Sequence, residues 1–450
     1  MLKLTEHFEY YHNNHLTALQ NVDGWETYYS QDEVEDSIGF GSDKEQICIS
    51  IKLYNKQDQK ECSISSSYFI GLDRLPQLGI NVYIEPKLNR DNIKLDYVKL
   101  LMEALTDSAN FDHLEGLIET KFDEEWIEVE SDQQLLLTPF LIAQYLSVVK
   151  DLVKRGLKKS YYTKKENLKN RLKGKVLVGE QIKNNLLKNR LTQTVCQYQE
   201  FGLDTELNQF LKYVLQRVQL FLSDLGESSG FVKPLEELLR FCKGGFQQVS
   251  DVSFPELKIK ENNPFYKNYN VAISLGNQIL KLQANNISRV PADGKVKHPR
   301  FWIDMSKLFE LYVFKKLRER FPEEGEVQYH IKYNRQEPDF VLNTRSGIKA
   351  IVDAKYKPRY KNGNPSMEDA RQLSGYARLK SVYNVLDIYT DDIIPCYLIY
   401  PKELIADNSC QEEEEVNYPQ YNESIVLLEG PFRESSTYKK MYLQELEVLS

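Results

Sequence analysis

Three consecutive pieces of sequence constrain this chain more than any other part of it. They are Glu337-Pro338-Asp339-Phe340-Val341-Leu342-Asn343, the turn Thr344-Arg345-Ser346-Gly347, and Ile348-Lys349-Ala350-Ile351-Val352-Asp353-Ala354-Lys355. Two β-prone runs joined by a short glycine-containing turn read as an antiparallel hairpin. A turn centred near Arg345 and Ser346 sets Asp339 opposite Asp353, so the hairpin brings two carboxylates together. Side chains alternate along a strand, which places Asp353 and Lys355 on one face and turns Ala350, Val352 and Ala354 toward a core. Upstream, Asp304 can N-cap a helix, MSKLFELYVFKKLRER, whose apolar residues include Leu308, Leu311, Tyr312 and Leu317 and which carries Glu310 among them. Downstream, Gln372 and Tyr376 are four apart and share one face of a second helix. The run CYLIYP, from Cys396 to Pro401, then reads as a buried strand.

Two acids and a lysine converging beside a helix that supplies a third acid suit phosphodiester hydrolysis. A hard cation such as Mg²⁺, with Mn²⁺ as a substitute, takes oxygen ligands; Asp339, Asp353 and a backbone carbonyl leave room for water and phosphate. Glu310 can serve a second metal or reach the first through water. Lys355 can orient or deprotonate the attacking water and offset charge on the pentavalent phosphate. The plain alternative is a surface hairpin with ordinary charges. The strand-like alternation on both sides of the turn and the acid on the upstream helix weigh against it.

Elsewhere the pattern suggests three regions in a multidomain α/β (α+β) chain. Residues 1–95 are acidic and strand-like at first, with alternating runs at 47–53, 64–70 and 80–84 and breaks at Gly71 and Pro76, which describes a β-rich N-terminal module. Residues 96–260 read as a helical, basic middle. There Thr138-Pro139 starts a helix that Gly156 stops, and Asp204-Thr205-Glu206 opens another with Leu207, Phe210, Leu211, Val214, Leu215 and Val218 on one face. Residues 261–450 hold the hairpin and its helices. No GxxxxGK[ST] occurs, so the chain binds no nucleotide in a P-loop of its own.

Charge divides along the chain in a way that its net value of −8 conceals. Residues 1–40 contain eight acids and a single lysine, Lys3, and residues 412–415 are four glutamates. Between 150 and 190 there are fourteen Lys/Arg against three acids, a net of +11, with Tyr161 and Tyr162 interleaved. A solvated helix face is one reading of that run. The other is a phosphate-binding, salt-sensitive patch for DNA built from Lys158, Lys159, Lys164, Lys165, Lys169, Arg171, Lys173 and Lys175. Six scattered cysteines without a CxxC pair, together with His12 and His15 as the nearest thing to a histidine cluster, describe reduced thiols and no zinc site. The N-terminus lacks a signal peptide's apolar stretch, and the most apolar run, 135–149, is too short and too polar to span a bilayer. A cytoplasmic protein without a membrane segment is expected.

Several of these segments also carry a family resemblance. FELYVFKKL, PDFVL, VDAKYK, the helix with Gln372 and Tyr376, and CYLIYP resemble the nuclease part of McrC proteins, the endonuclease subunits of McrBC-type 5-methylcytosine restriction systems and members of the PD-(D/E)xK superfamily. Upstream, YFIG with VYIEPK, RLKGK with Gln181, and YQEFGLDTELN are similar to further family segments, so the resemblance runs from about residue 65 to 402. It implies Asp339 and Asp353 as metal ligands, Lys355 as the catalytic lysine, Glu310 as the helix acid, and Gln372 and Tyr376 as the element that positions the phosphate backbone or supports the lysine. By the same token Tyr356 is a packing residue and Lys357 a phosphate contact. It also implies a partner, an McrB-like AAA+ GTPase that this chain docks on and stimulates, with the acidic N-terminal module as the candidate docking surface. Two rivals remain: a stand-alone or repair nuclease of the same superfamily, and a non-catalytic activator or scaffold of the motor. The first predicts robust cutting by the isolated chain; the intact Asp339, Asp353 and Lys355 speak against the second.

Overall fold

In the computed structural model, residues 1–11, 33–41, 46–56, 59–89, 93–130, 137–225, 232–253, 257, 263–286, 295–332, 336–357, 364–390, 392–402 and 426–448 are described. His12, His15, Cys410 and the 412–415 glutamates lie outside these residues. In chain order the elements begin β1 (Leu2–Thr5), β2 (Glu9–Tyr11), β3 (Glu33–Phe40), β4 (Gln46–Lys56), β5 (Gln59–Ser66), β6 (Phe69–Arg74), β7 (Asn81–Glu85), α1 (Tyr97–Ala104), β8 (Ile118–Lys121) and β9 (Ile127–Glu130). The middle of the chain gives α2 (Leu137–Arg155), β10 (Ser160–Lys169), β11 (Lys175–Val176), α3 (Val178–Asn184), β12 (Gln193–Gly202), α4 (Glu206–Leu225), α5 (Val232–Gly245) and α6 (Lys267–Asn286). The remainder is β13 (Lys295–His298), β14 (Arg300–Asp304), α7 (Met305–Arg320), β15 (Val327–Tyr329), β16 (Phe340–Asn343), β17 (Lys349–Ala354), α8 (Met367–Tyr376), α9 (Lys380–Val385), β18 (Cys396–Pro401), β19 (Phe432–Glu434) and β20 (Met441–Leu446).

These elements form two compact units, one made of residues 1–135 with 290–450 and the other of residues 136–289. The division differs from the expected breaks near 95 and 260, and β14 is the reason. It inserts between β6 and β8, antiparallel to both, in a five-stranded sheet of order β1-β7-β6-β14-β8. The first and last thirds of the chain therefore share one sheet. Trp302 on β14 is fully buried, and its indole N–H donates to Asp73 on β6 at 2.7 Å. Asp73 also takes Lys121 of β8 at 2.7 Å, so one buried carboxylate ties three strands together.

Gly71, expected as a break, lies inside β6. A Cβ there would stand 2.2 Å from the Phe301 carbonyl oxygen, so only glycine lets the β14 backbone approach so closely. The expected run at 64–70 is likewise split, with β5 ending at Ser66 and β6 starting at Phe69.

Asp304 caps α7 as expected, accepting from the Lys307 amide at 3.0 Å. The helix is buried along most of its length, with Leu308, Phe309, Leu311, Val313 and Leu317 fully buried, as befits a helix enclosed by protein. Beyond it lies a six-stranded sheet of order β15-β16-β17-β18-β20-β19, with β17, β18 and β20 parallel and the remaining pairs antiparallel. Helix α8 packs Ala370, Leu373 and Tyr376 against Val341, Ile351 and Leu398 of that sheet.

The second unit packs α2, α4, α5 and α6 together, with close approaches at Gly245 against Val153 and at Gly276 against Phe210 and Val214. The helices starting near Thr138 and at Glu206 appear where the pattern put them, and Gly156 ends the first at φ +90°. The basic segment does not continue the helical pattern. Its centre is a sheet of order β10-β12-β11, with β10 and β12 paired from Ser160↔Gly202 to Lys169↔Gln193. Strand β10 buries so little that its period-two pattern is carried by polar residues, which a hydrophobic pattern cannot register. The five described cysteines, Cys48, Cys62, Cys196, Cys242 and Cys396, are buried free thiols. No helix among the described residues is long and apolar enough to cross a membrane.

Candidate active site

The hairpin forms in the expected register. Phe340 pairs with Val352 and Asn343 with Lys349, so the next position outward sets Asp339 across from Asp353. The turn closes through Thr344, whose amide donates to the Ile348 carbonyl at 2.9 Å, and Gly347 supplies the left-handed residue at φ +88°. Asp339 then turns back onto the partner strand, its Oδ2 accepting from the Ala354 amide at 2.8 Å.

Asp353 is 1% exposed. Neither of its carboxylate oxygens accepts a well-aligned hydrogen bond, although Oδ2 lies 2.7 Å from the Lys355 ammonium. The Lys355 Nζ also donates to Gln372 Oε1 at 3.0 Å, and Gln372 Nε2 in turn donates to the Tyr376 hydroxyl at 2.8 Å. The i,i+4 pair read from the sequence is thus a relay that ends on the lysine.

Electrostatics follow from this crowding. Burial, then the charges of Asp353 and Glu310, push the Asp339 carboxyl well above the ordinary range. Burial raises Asp353 as well, with Lys355 pulling it back. For Lys355 burial opposes the charge, but the Asp353 carboxylate outweighs it and holds the ammonium above its usual value. The lysine is therefore a cation at neutral pH.

Glu310 reaches the same place from α7 and meets a residue that the sequence reading did not include, His330. The two side chains are hydrogen-bonded through His330 Nε2, and His330 Nδ1 lies 3.2 Å from Glu337. Ligand atoms of Glu310, His330 and Asp339 all lie within 4.8 Å of one another. A signal for His330 existed. The β15–β16 ladder pairs Tyr329 with Phe340, and the His330 amide donates to the Asp339 carbonyl at 3.0 Å, so extending the hairpin arithmetic one strand outward finds it. The three-residue strand β15 is too short to announce itself by periodicity.

A divalent cation fits this donor set. Two carboxylates and an imidazole converge, and the buried third carboxylate, Asp353, has an oxygen, Oδ1, without a hydrogen-bond donor among the described residues. Lys357, expected at phosphate, is engaged by both oxygens of Asp369 at 2.9 and 2.8 Å and ties the end of β17 to α8. Tyr356 is 3% exposed and packs against Phe309, in line with the packing role.

The basic residues belong to the other unit. Lys159, Lys165, Lys169, Arg171, Lys173 and Lys175 are exposed. Lys158 and Lys164 are half-buried; Lys164 lies 3.5 Å from both Glu166 and Glu200, and Lys165 lies 3.1 Å from Glu180. Lys173 sits over the Tyr198 ring at 3.9 Å. Gln181 is structural: its side chain bonds the backbone of Gln193 and Val195 and so holds α3 to β12. Large apolar side chains are also exposed in this segment, among them Leu172, Leu187 and Leu191, with Tyr161 and Phe201 paired across the strands.

Fold and site together define a mixed α/β protein with a buried carboxylate–lysine centre flanked by a carboxylate–imidazole cluster. The chain belongs to the family of McrBC 5-methylcytosine restriction system components, whose model matches residues 66–401. Among solved structures it is similar to a chain of the refined half-complex from the tetradecameric assembly of Thermococcus gammatolerans McrB AAA+ hexamers with bound McrC. That match has 16% identity and a TM-score of 0.36, covering 99% of this chain and 94% of that one. A chain of the Thermococcus gammatolerans McrBC complex seen by cryo-EM matches at 15% identity and a TM-score of 0.27, over 71% of this chain and 87% of that one. None of the curated proteins compared matches it.

Proposed function

We propose that this chain is the DNA endonuclease subunit of an McrBC-like restriction system, with a PD-(D/E)xK centre that uses Mg²⁺ or Mn²⁺. The observation that carries the reading is the meeting of Asp339, Asp353, Lys355 and the Gln372–Tyr376 relay at one end of the hairpin, beside Glu310 and His330. Asp339, Asp353, Glu310 and His330 are the residues to hold the cation. When bound, it supplies Lewis-acid activation of the scissile phosphate and of water.

The chain's own residues do the rest. Lys355, held as a cation between Asp353 and Gln372, offsets charge developing on the phosphate; that role suits it better than proton abstraction. Gln372 and Tyr376 fix the ammonium's direction. The exposed basic face around Lys169, Arg171 and Lys175, with Lys158, Lys159, Lys164, Lys165 and Lys173, is the proposed DNA contact. An AAA+ GTPase of the McrB kind is the proposed partner, as the family membership suggests; of the solved assemblies named above, the tetradecameric one holds McrC bound to McrB AAA+ hexamers.

The test is linearisation of a methylated plasmid by the chain with its partner GTPase, GTP and Mg²⁺. Cutting is expected only when all are present, and Asp353→Ala or Lys355→Ala should abolish it while GTPase stimulation persists. Full cleavage by either variant would sink the assignment of the centre. Robust cutting without the GTPase would favour a stand-alone nuclease.

A further inference from the structure

Next to the acidic centre, in the same unit, lies a second buried polar cluster, built from the start of the chain. Strand β1 runs parallel to β7, and the chain continues from each into one charged residue, Glu6 and Lys87. Glu6 is fully buried, and its Oε1 accepts from the Lys87 amide at 3.0 Å. The Lys87 side chain extends between two aromatic rings, 4.4 Å from the centre of Tyr68 and 4.0 Å from that of Tyr356. Its Nζ donates to the Tyr356 carbonyl at 2.7 Å. Burial pushes the Glu6 carboxyl up to about 7 and the Lys87 ammonium down to about 8, so each group depends on the other for its charge.

Tyr356 immediately follows Lys355. On one side the backbone here is held by β18, where the Lys355 amide donates to the Ile399 carbonyl at 2.8 Å. Past that bond β17 has ended, and the carbonyl of Tyr356 has no ladder partner. A buried backbone carbonyl requires a donor, and Lys87 is the donor. The position of the Lys355 backbone, and hence of its ammonium, is thus clamped between β18 and a lysine from the N-terminal sheet.

Resting on the nuclease reading above, we propose that Lys87 is a positioning residue for the catalytic centre, held by Glu6 and acting through the Tyr356 carbonyl to set the place of Lys355. In this arrangement the N-terminal sheet is part of the nuclease machinery, although none of its side chains need touch DNA. A displacement of about 1 Å in a reacting group costs up to about 100-fold in rate, so removal of this clamp reads out in turnover.

The experiment compares Lys87→Met, which keeps the bulk between the rings and removes the donor, with Lys87→Arg, which keeps cation, stacking and donors. The double variant Glu6→Gln/Lys87→Met, which also lacks the donor but leaves no unpaired buried carboxylate, replaces Lys87→Met if the latter fails to fold. In the full chain with its GTPase, assayed well below the unfolding midpoint that loss of this buried donor lowers, Lys87→Met should reduce the cleavage rate at saturating DNA by roughly 10- to 100-fold with DNA affinity unchanged, and Lys87→Arg should restore most of it. In the isolated chain, amide hydrogen exchange across 353–357 should speed up about 10-fold in Lys87→Met and stay near wild type in Lys87→Arg. Wild-type exchange in Lys87→Met overturns the clamp, and faster exchange with wild-type turnover overturns its role in positioning. A wild-type chain that cuts no DNA under any condition refutes the nuclease reading instead, while the exchange comparison still decides the clamp.

Discussion

Asp339 and Asp353 are held in the folded chain at a cost, because burial and their mutual repulsion disfavour the ionised forms. Asp339→Asn should therefore raise the unfolding midpoint in chelator by a few degrees at neutral pH while abolishing cleavage, the common trade between stability and function. Scanning fluorimetry with and without Mn²⁺ checks this: the wild type should gain stability from the cation, and the variant should gain little. His330→Ala should weaken Mn²⁺ binding about 10- to 100-fold, measured by titration calorimetry. Glu6 gives a pH dependence of definite sign. Its folded pKa, about 7, lies above the ordinary 4.5, so its stabilising contribution is complete below 4.5 and fades as pH rises toward 7. Glu6→Gln should match the wild type near pH 4.5 and exceed it by about 1–3 kcal/mol at pH 8, read from denaturant melts. At this scale the sequence was informative wherever one register decided the geometry: Asp339, Asp353, Lys355 and the Gln372–Tyr376 pair followed from hairpin and helix periods. His330 escaped because its strand is three residues long, and Lys87 because its partner is 269 residues away.

Elements were legible where apolar periodicity was strong and obscure where packing, not pattern, chose the conformation. Helices α4 and α7 announce themselves by caps and buried faces. Strand β6 conceals itself behind Gly71, a residue that suggests a break until β14 is seen against it. Gly71→Ala should cost about 2–4 kcal/mol, since the added methyl meets backbone on β14 that cannot move without opening the sheet; a thermal melt tests it. The β10–β12 ribbon was unreadable for a different reason, because polar and charged side chains, Thr163 to Asn167 and Lys169, fill most of β10 instead of an apolar alternation. Its exposed cations make a salt-dependence prediction. Reversing Lys169, Arg171 and Lys175 together should weaken DNA binding and reduce the slope of log affinity against log salt by about 0.9 for each phosphate no longer neutralised. Unchanged affinity would reassign the ribbon to protein contacts, for which Leu172, Leu187 and Leu191 are available.

For the whole molecule, the net charge of −8 is an average over regions of opposite sign and says nothing against a nucleic-acid partner. Domain boundaries were not legible, because a strand from one end of a sequence carries no local mark of the sheet it joins at the other. Fragments test the division. Residues 136–289 alone should melt cooperatively by circular dichroism, whereas residues 261–450 alone should not, lacking the strands that flank β14. That flanking has a consequence in time. Strand β6 leaves the ribosome more than two hundred residues before β14, and at roughly 5–20 residues per second the gap is about 10–45 s. Throughout synthesis of the intervening unit, β6 and β8 wait with open edges, and Asp73 waits for its indole. On the proposed reading, a nuclease that assembles its catalytic centre only when its last third is made cannot cut while it is still being translated.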